Sequence, residues 1–503
     1  MECRSERRFA VRPRRESPAD ERQQPSRRSG SLEPVGHRMI EGRRDEPPER
    51  PDWPAVAIGV AVCAIAYYLI DHGFAVSSYL ETPQEQTVEL DDLVAEGNAG
   101  RRIGFLMLAT LGTAGCVFPA RRAFRWTPAI AVLFAFHVGW CYASVVWADD
   151  RPLTIRRFGV LTFLVLAAVG IARRLSAREV CWLVMGVGLA HWAIGLFAEC
   201  ALGTFRPWGA EYRFAGTIHP NNQGVQLAGV ALAACCLAKS VRRGRLALIA
   251  IAAVAALFLW LTKSRTSCAG LALGVLIIWL PSASQAWKAV AFVFAPTAAV
   301  ALLLLAYLLN WNAADRIASV ALMGRGEEAE TLTGRVPLWR EVLTYIEERP
   351  WLGYGYGGFW NVPRMRRISE NQGWQIAHSH SAYLETVLNV GVIGAVVLFG
   401  AILLTFVTAT RAHVRSGDPG FRFISGFTAF AALYSTTDAV FAQPGFASLV
   451  QFATVVLAAS TGPTSRSAPS VQRALPAYSV EEAGRRVSPE GNRMNRRESA
   501  PHI

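Results

Sequence analysis

Apolar positions along this chain come in blocks rather than at core spacing. Segments such as AVAIGVAVCAIAYYLI (55–70), LALIAIAAVAALFLWL (246–261) and VAFVFAPTAAVALLLLAYLL (290–309) carry almost no charge. Each approaches the ~20 residues that a bilayer-crossing helix needs. The pattern predicts an all-α, polytopic integral membrane protein with about twelve spans, starting near residues 53, 103, 127, 158, 177, 223, 245, 266, 287, 383, 422 and 444. The division near 266 rests on a very short connection, LTKSRTS (262–268). Some fifty polar residues precede the first span, which therefore reads as a permanent anchor and not a cleaved signal peptide.

Composition agrees with this pattern. Hydrophobic side chains make up 52% of the 503 residues, too many for an ordinary pair of soluble domains. Most of the nine cysteines, such as Cys63, Cys116, Cys141 and Cys181, fall inside apolar runs and read as small core side chains. The net charge of +13 suggests nucleic acid only until the arginines are located. Many lie at span edges or in the tails, so no nucleic-acid partner is expected. With the N-terminus in the cytoplasm, Arg121, Arg122, Arg125, Arg173, Arg174, Arg178, Lys239, Arg242, Arg243, Arg245, Arg411, Arg415 and Arg422 fall on inner connections. That bias orients the chain with both termini inside. Arg101, Arg102, Arg151, Arg156 and Arg157 fall on the opposite side. Residues 1–50, rich in Arg, Pro and Glu, and residues 461–503 lack the apolar content for a core and read as disordered tails around a membrane domain, 51–460.

This topology exposes two outer loops, 199–222 and 312–382. In the second, TGRVPLWREVLTYIEERP sets Val336, Trp339, Val342, Leu343 and Ile346 on one helical stripe ended by Pro350, which predicts an amphipathic helix on the membrane surface. The outer edge gathers Arg213, His219, Lys263, Arg265, Arg335, His378 and His380, with few carboxylates nearby. Guanidinium groups grip phosphate oxygens by forked, charge-assisted hydrogen bonds, so the set as a whole favours an anionic ligand, while each arginine taken singly also reads as an interfacial side chain reaching lipid headgroups. Histidine is the natural proton acceptor near neutral pH, although a histidine at a helix start also serves as a plain hydrogen-bonder. GYGYGG (353–358) lacks the strand of a phosphate loop and reads as a tight turn with interfacial aromatics. HPNN (219–222) lacks a ligand cluster for a metal, and Asn221 or Asn222 reads as a helix cap.

RFAGTIHPNNQG, a membrane-edge Ser-Arg, TGRVPLW, ERPWLGYGYGGFW and HSHSAYLETVLNVGVIG, in that order, resemble the O-antigen ligase and polymerase family. The resemblance implies a GT-C-like, metal-independent, inverting glycosyltransferase of the bacterial cytoplasmic membrane, working in lipopolysaccharide or exopolysaccharide assembly without a cofactor. It would take glycan from an undecaprenyl-pyrophosphate-linked donor on the outer face and pass it to a glycan or lipid acceptor, among membrane lipids and other polysaccharide-assembly proteins. Matching the family's positions, Arg213, Arg265 and Arg335 would bind pyrophosphate and His380 would meet the acceptor hydroxyl. Ser381 stands where the family often has Asn, so His378 remains a rival ring. Catalytic candidates are thus His380, Arg335 and Arg265, and substrate-binding candidates Arg213, Lys263, His378, Trp339, Asn221 and Tyr383. The competing expectation is a transporter or flippase of a lipid-linked or anionic substrate, which would show polar groups near the membrane midplane.

Overall fold

The computed structural model describes residues 51–72, 99–119, 127–209, 212–241, 243–280 and 335–460, and from Asp52 onward these lie in one compact unit, Asp52–Ile503. The two tails, the span expected near 287 and the first part of the long outer loop lie outside the described residues. Among the described residues the fold is all-helical: α1 (Trp53–His72), α2 (Ala99–Val117), α3 (Pro128–Ala143), α4 (Arg151–Arg174), α5 (Ala177–Ala201), α6 (Pro220–Ala238), α7 (Arg245–Leu261), α8 (Arg265–Trp279), α9 (Arg335–Glu348), α10 (Val362–Gln372), α11 (Ala382–Ser416), α12 (Pro419–Tyr434) and α13 (Phe446–Ala459). Five of these helices are long and apolar enough to cross a membrane, and α7, α8 and α13 are shorter apolar helices. The short connection at 262–264 does separate two helices.

Helices in lipid associate by close packing, because lipid tails are as apolar as leucine. Here α2 and α4 run parallel with their backbones in contact, and a Cβ on Gly112 would lie 2.5 Å from the Leu166 carbonyl. The two ends of the bundle can be told apart by their caps. At one end, Ser176 and Glu179 form a capping box on α5, Glu179 also accepts from the Asp52 backbone at 2.6 Å, and Gly420 at the start of α12 abuts Ala177. Arg173, Arg174, Arg178, Arg415 and Arg422 gather at this end. The N-termini of α6, α8 and α11 and the C-terminus of α12 meet at the other.

At that second end, α11 is broken at Gly391, whose backbone leaves the helix at φ 69° and ψ 179°. Three of the backbone groups at the break are claimed from outside the helix. Val392 N–H donates to Pro350 O (2.8 Å), Tyr354 N–H donates to Leu388 O (2.7 Å), and Trp140 Nε1–H donates to Val390 O (3.0 Å). The Trp351–Gly355 turn is thus seated in the break, and a Cβ at Gly391 would sit 2.0 Å from the Trp351 carbonyl oxygen. Gly391→Ala is therefore expected to cost at least about 3 kcal/mol through backbone strain and overlap. A thermal-unfolding midpoint in detergent equal to that of the unmodified protein would contradict this account.

Two expectations for the outer loop change. The α9 stripe is not laid on a membrane surface: Leu338, Val342 and Tyr345 bury against Tyr354, Phe359, Trp360, Met365 and Ile368 in a small core of the loop's own, while Leu343 stays exposed. The aromatics of 351–360 are largely part of that core and not interfacial, although Trp351 remains exposed. Asp149, between α3 and α4, fastens the loop through Arg349 (2.6 Å) and Arg364 (2.9 Å).

Candidate active site

Between the ends of α6, α8, α9, α11 and α12 lies a cavity of about 390 Å³. Arg213, Lys263, Arg265 and Arg335 line it together with His219, Asn221 and His380, and one carboxylate, Asp438, faces them.

Each side chain is aimed by local chemistry. The buried Glu199 at the end of α5 accepts from the backbone N–H groups of Ala215 (3.0 Å) and Gly216 (2.7 Å) and from the Tyr212 hydroxyl. That clasp folds the 212–216 segment back on α7, where Phe214 N–H reaches Leu261 O at 2.8 Å and Arg213 is held between them. Arg213 donates to Thr262 O (3.0 Å) and to Asn221 Oδ1 (3.1 Å). The sequence reading of Asn221 or Asn222 as cap of α6 is corrected: His219 is the cap, its Nδ1 accepting from Asn221 N–H at 3.2 Å. Asn221 is thereby left to steer Arg213.

Lys263 and His380 are the only non-glycine residues with a left-handed backbone among the described residues, at φ 53° and 51°. Both line the cavity. Such conformations cost energy in most residues and persist where the surroundings impose them, often at working sites. For Lys263 the cause is the sharp reversal from α7 to α8, which delivers Lys263 and Arg265 to the same opening. For His380 the cause is the Ser379 peptide, pinned on both sides. Its N–H donates to the buried Glu385 Oε2 (3.0 Å), and its carbonyl accepts from Trp339 Nε1–H (2.9 Å). The chain then enters α11 with Ala382 N–H donating to Ser435 O and Asp438 O. His380 therefore stands just before the helix and not within its first turn.

Three candidates fall outside the cavity lining. Trp339 holds the 379 peptide in place. The Tyr383 hydroxyl donates to Ala432 O at 2.9 Å and its ring packs on Phe399. The His378 ring lies behind His380, with centroids 3.9 Å apart, and its Nδ1 accepts from His380 N–H. Conversely, the motifs did not single out Tyr434, Trp374 or Asp438, which the fold brings to the cavity. Tyr434 donates to Asp438 Oδ2 at 2.6 Å.

The electrostatics are dominated by positive charge. Burial, then the neighbouring His378, Arg335 and His219, push His380 down to about 2, so the ring is neutral at any physiological pH. His219 is also lowered by burial and by Arg213, with Asp438 opposing. Arg335 is lowered by burial, again with Asp438 opposing. Four cationic side chains against one carboxylate leave a surplus of positive charge beside a neutral imidazole.

An all-helical bundle with membrane-length apolar helices and a cavity lined by cationic side chains at one end defines the class. Residues 227–399 match the model of the family described as O-Antigen ligase, which bears out the O-antigen ligase/polymerase family read from the motifs and, with the apolar helices, an integral membrane protein. No curated protein matches the chain. The matched segment holds Lys263, Arg265, Arg335 and His380, whereas Arg213 precedes it and Asp438 follows it.

Proposed function

We propose that the protein transfers a glycan from an undecaprenyl-pyrophosphate-linked donor to an acceptor hydroxyl, on the outer face of the bacterial cytoplasmic membrane, by a metal-independent inverting displacement. The observation that carries this reading is the meeting of Arg213, Lys263, Arg265 and Arg335 with His380 in one cavity. The cations bind the pyrophosphate and stabilise the charge that grows on it as the anomeric C–O bond breaks, a task that a divalent ion performs in other transferases. His380, neutral before the donor binds, accepts the proton of the acceptor hydroxyl as its oxygen bonds to the anomeric carbon. The bound pyrophosphate raises the basicity of that ring by offsetting Arg335, so the base is strengthened only when there is a donor to use it on.

For sidedness, the arginines collected at the far end of the bundle support a reading in which that end faces the cytoplasm, by the positive-inside bias. This reading takes the membrane domain as a GT-C-like arrangement of about twelve spans. The family match lends the transporter alternative no support. Reconstitution of the protein in liposomes with a lipid-pyrophosphate-linked oligosaccharide tests the reading. Chain elongation or transfer to an added acceptor, with release of undecaprenyl pyrophosphate, is expected in the presence of a chelator. Translocation of the intact donor without glycosidic-bond formation would instead indicate a flippase.

A further inference from the structure

A second cavity, of about 130 Å³, adjoins the first, and Tyr434 and Asp438 line both. Its remaining polar lining is different in kind: Asp71 near the end of α1, Arg101 in the first turn of α2, Asn222 and Gln226 one turn apart on α6, Gln443 ahead of α13 and Ser448 within it. Asn221 faces the first cavity and Asn222 the second, so consecutive residues of one helix end serve the two chambers. Gln226 is fixed by the buried His191, whose ring bridges its side chain and Ala64 O at 2.9 Å each.

We propose that this second cavity binds the acceptor sugar, an assignment that rests on the glycan-transfer reading above. Carboxylate, guanidinium and three carboxamides together offer both acceptors and donors, which matches a ring whose hydroxyls do both and not a bare phosphate. Its volume, a third of that of the first cavity, has room for roughly ten waters, close to the heavy-atom count of one sugar ring. The position also meets the stereochemical demand. In an inverting displacement the acceptor oxygen bonds to the anomeric carbon opposite the leaving group, the C–O bond to phosphate breaks with its electron pair going to pyrophosphate, and the hydroxyl proton passes to His380. The donor pyrophosphate on the Arg265–Arg335 side and the acceptor beyond the Asp438–Tyr434 wall approach from different sides.

Arg101, one of the arginines that fit no sidedness rule, is accounted for by the same site. Its charge suits a glycan acceptor on an anionic lipid, either a second pyrophosphate-linked repeat or a phosphorylated lipid A core.

The test uses the full-length protein in liposomes, a labelled lipid-linked donor whose own acceptor hydroxyl is capped, and two acceptor arms, an uncapped lipid-linked repeat and a lipid A core. In the arm that the unmodified protein uses, Asp71→Asn and Gln226→Leu are each expected to raise the acceptor KM about tenfold, the cost of a lost hydrogen bond to a charged or buried partner, with donor KM within about twofold. Arg335→Ala should show the reverse pattern. An unchanged acceptor KM, or donor and acceptor KM rising together, overturns the subsite. Inactivity of the unmodified protein in both arms overturns the transfer reading itself, and the subsite with it.

Discussion

Arg335→Ala is expected to lower transfer from a lipid-pyrophosphate donor by about 10²–10³, the usual cost of removing one preorganised donor to developing negative charge. The residue opens α9 and makes no hydrogen bond or ion pair with the described residues, so its guanidinium is not committed to holding the fold. Three residues later Leu338 is fully buried, and Val342 and Tyr345 follow on the same face, so the helix stays anchored without the arginine. The loss should therefore appear in turnover and donor binding, with little change in the unfolding midpoint. Arg335→Lys keeps the charge but not the fork, and is expected to recover only part of the rate. Arg213 makes a sharper comparison, because its donors are partly engaged by Thr262 and Asn221. Its alanine variant would disturb the loop as well as the charge, and should lose stability together with activity. A fully active Arg335→Ala protein would remove the pyrophosphate clamp from the mechanism.

The sequence made the bundle and half of the site legible because each depends on local pattern. Apolar blocks mark helices wherever they sit, and Lys263, Arg265, Arg335 and His380 stand out because charge at a span edge is unusual. What it hid is tertiary. Asp438 belongs to an unremarkable STTDAV stretch, and only the return of α12 beside α11 brings it to face three arginines and a lysine. The α9 stripe has the period of any amphipathic helix, and period alone does not say whether a membrane or folded protein covers it. Here Phe359 and Trp360, far along the same loop, cover it. Trp339 and Tyr383 were singled out beside the right motifs, but an indole N–H or a phenol finds a carbonyl as readily as a ligand, and both of these did. Nor does composition announce a left-handed backbone at a lysine or a histidine, since that depends on the pinned peptides on either side.

His380→Ala is expected to reduce transfer by about 10²–10⁴, the range for loss of a positioned proton acceptor, while His378→Ala, behind the ring and off the cavity, should cost under about tenfold. The pH dependence separates a base from a structural histidine. In the free protein, burial and then the surrounding His378, Arg335 and His219 hold His380 near 2, and below that value the ring is protonated and cannot accept. The acid limb of kcat/KM for the donor, which reports the free protein, should therefore be flat down to the pH at which the protein itself fails. The acid limb of kcat reports the donor complex, in which pyrophosphate offsets the cations and raises the ring, so turnover should fall at a distinctly higher pH. Arg335→Ala removes one of the repelling charges, so the free-protein value should also move up. Buffer-independent kcat with no acid limb in either the unmodified protein or Arg335→Ala would leave His380 a hydrogen-bonding group only. If Asn at this position restores most of the rate, the same conclusion follows, because an amide positions a hydroxyl but accepts no proton from it. The constrained backbone at φ 51° tolerates Asn well, so that substitution tests the ring without testing the fold.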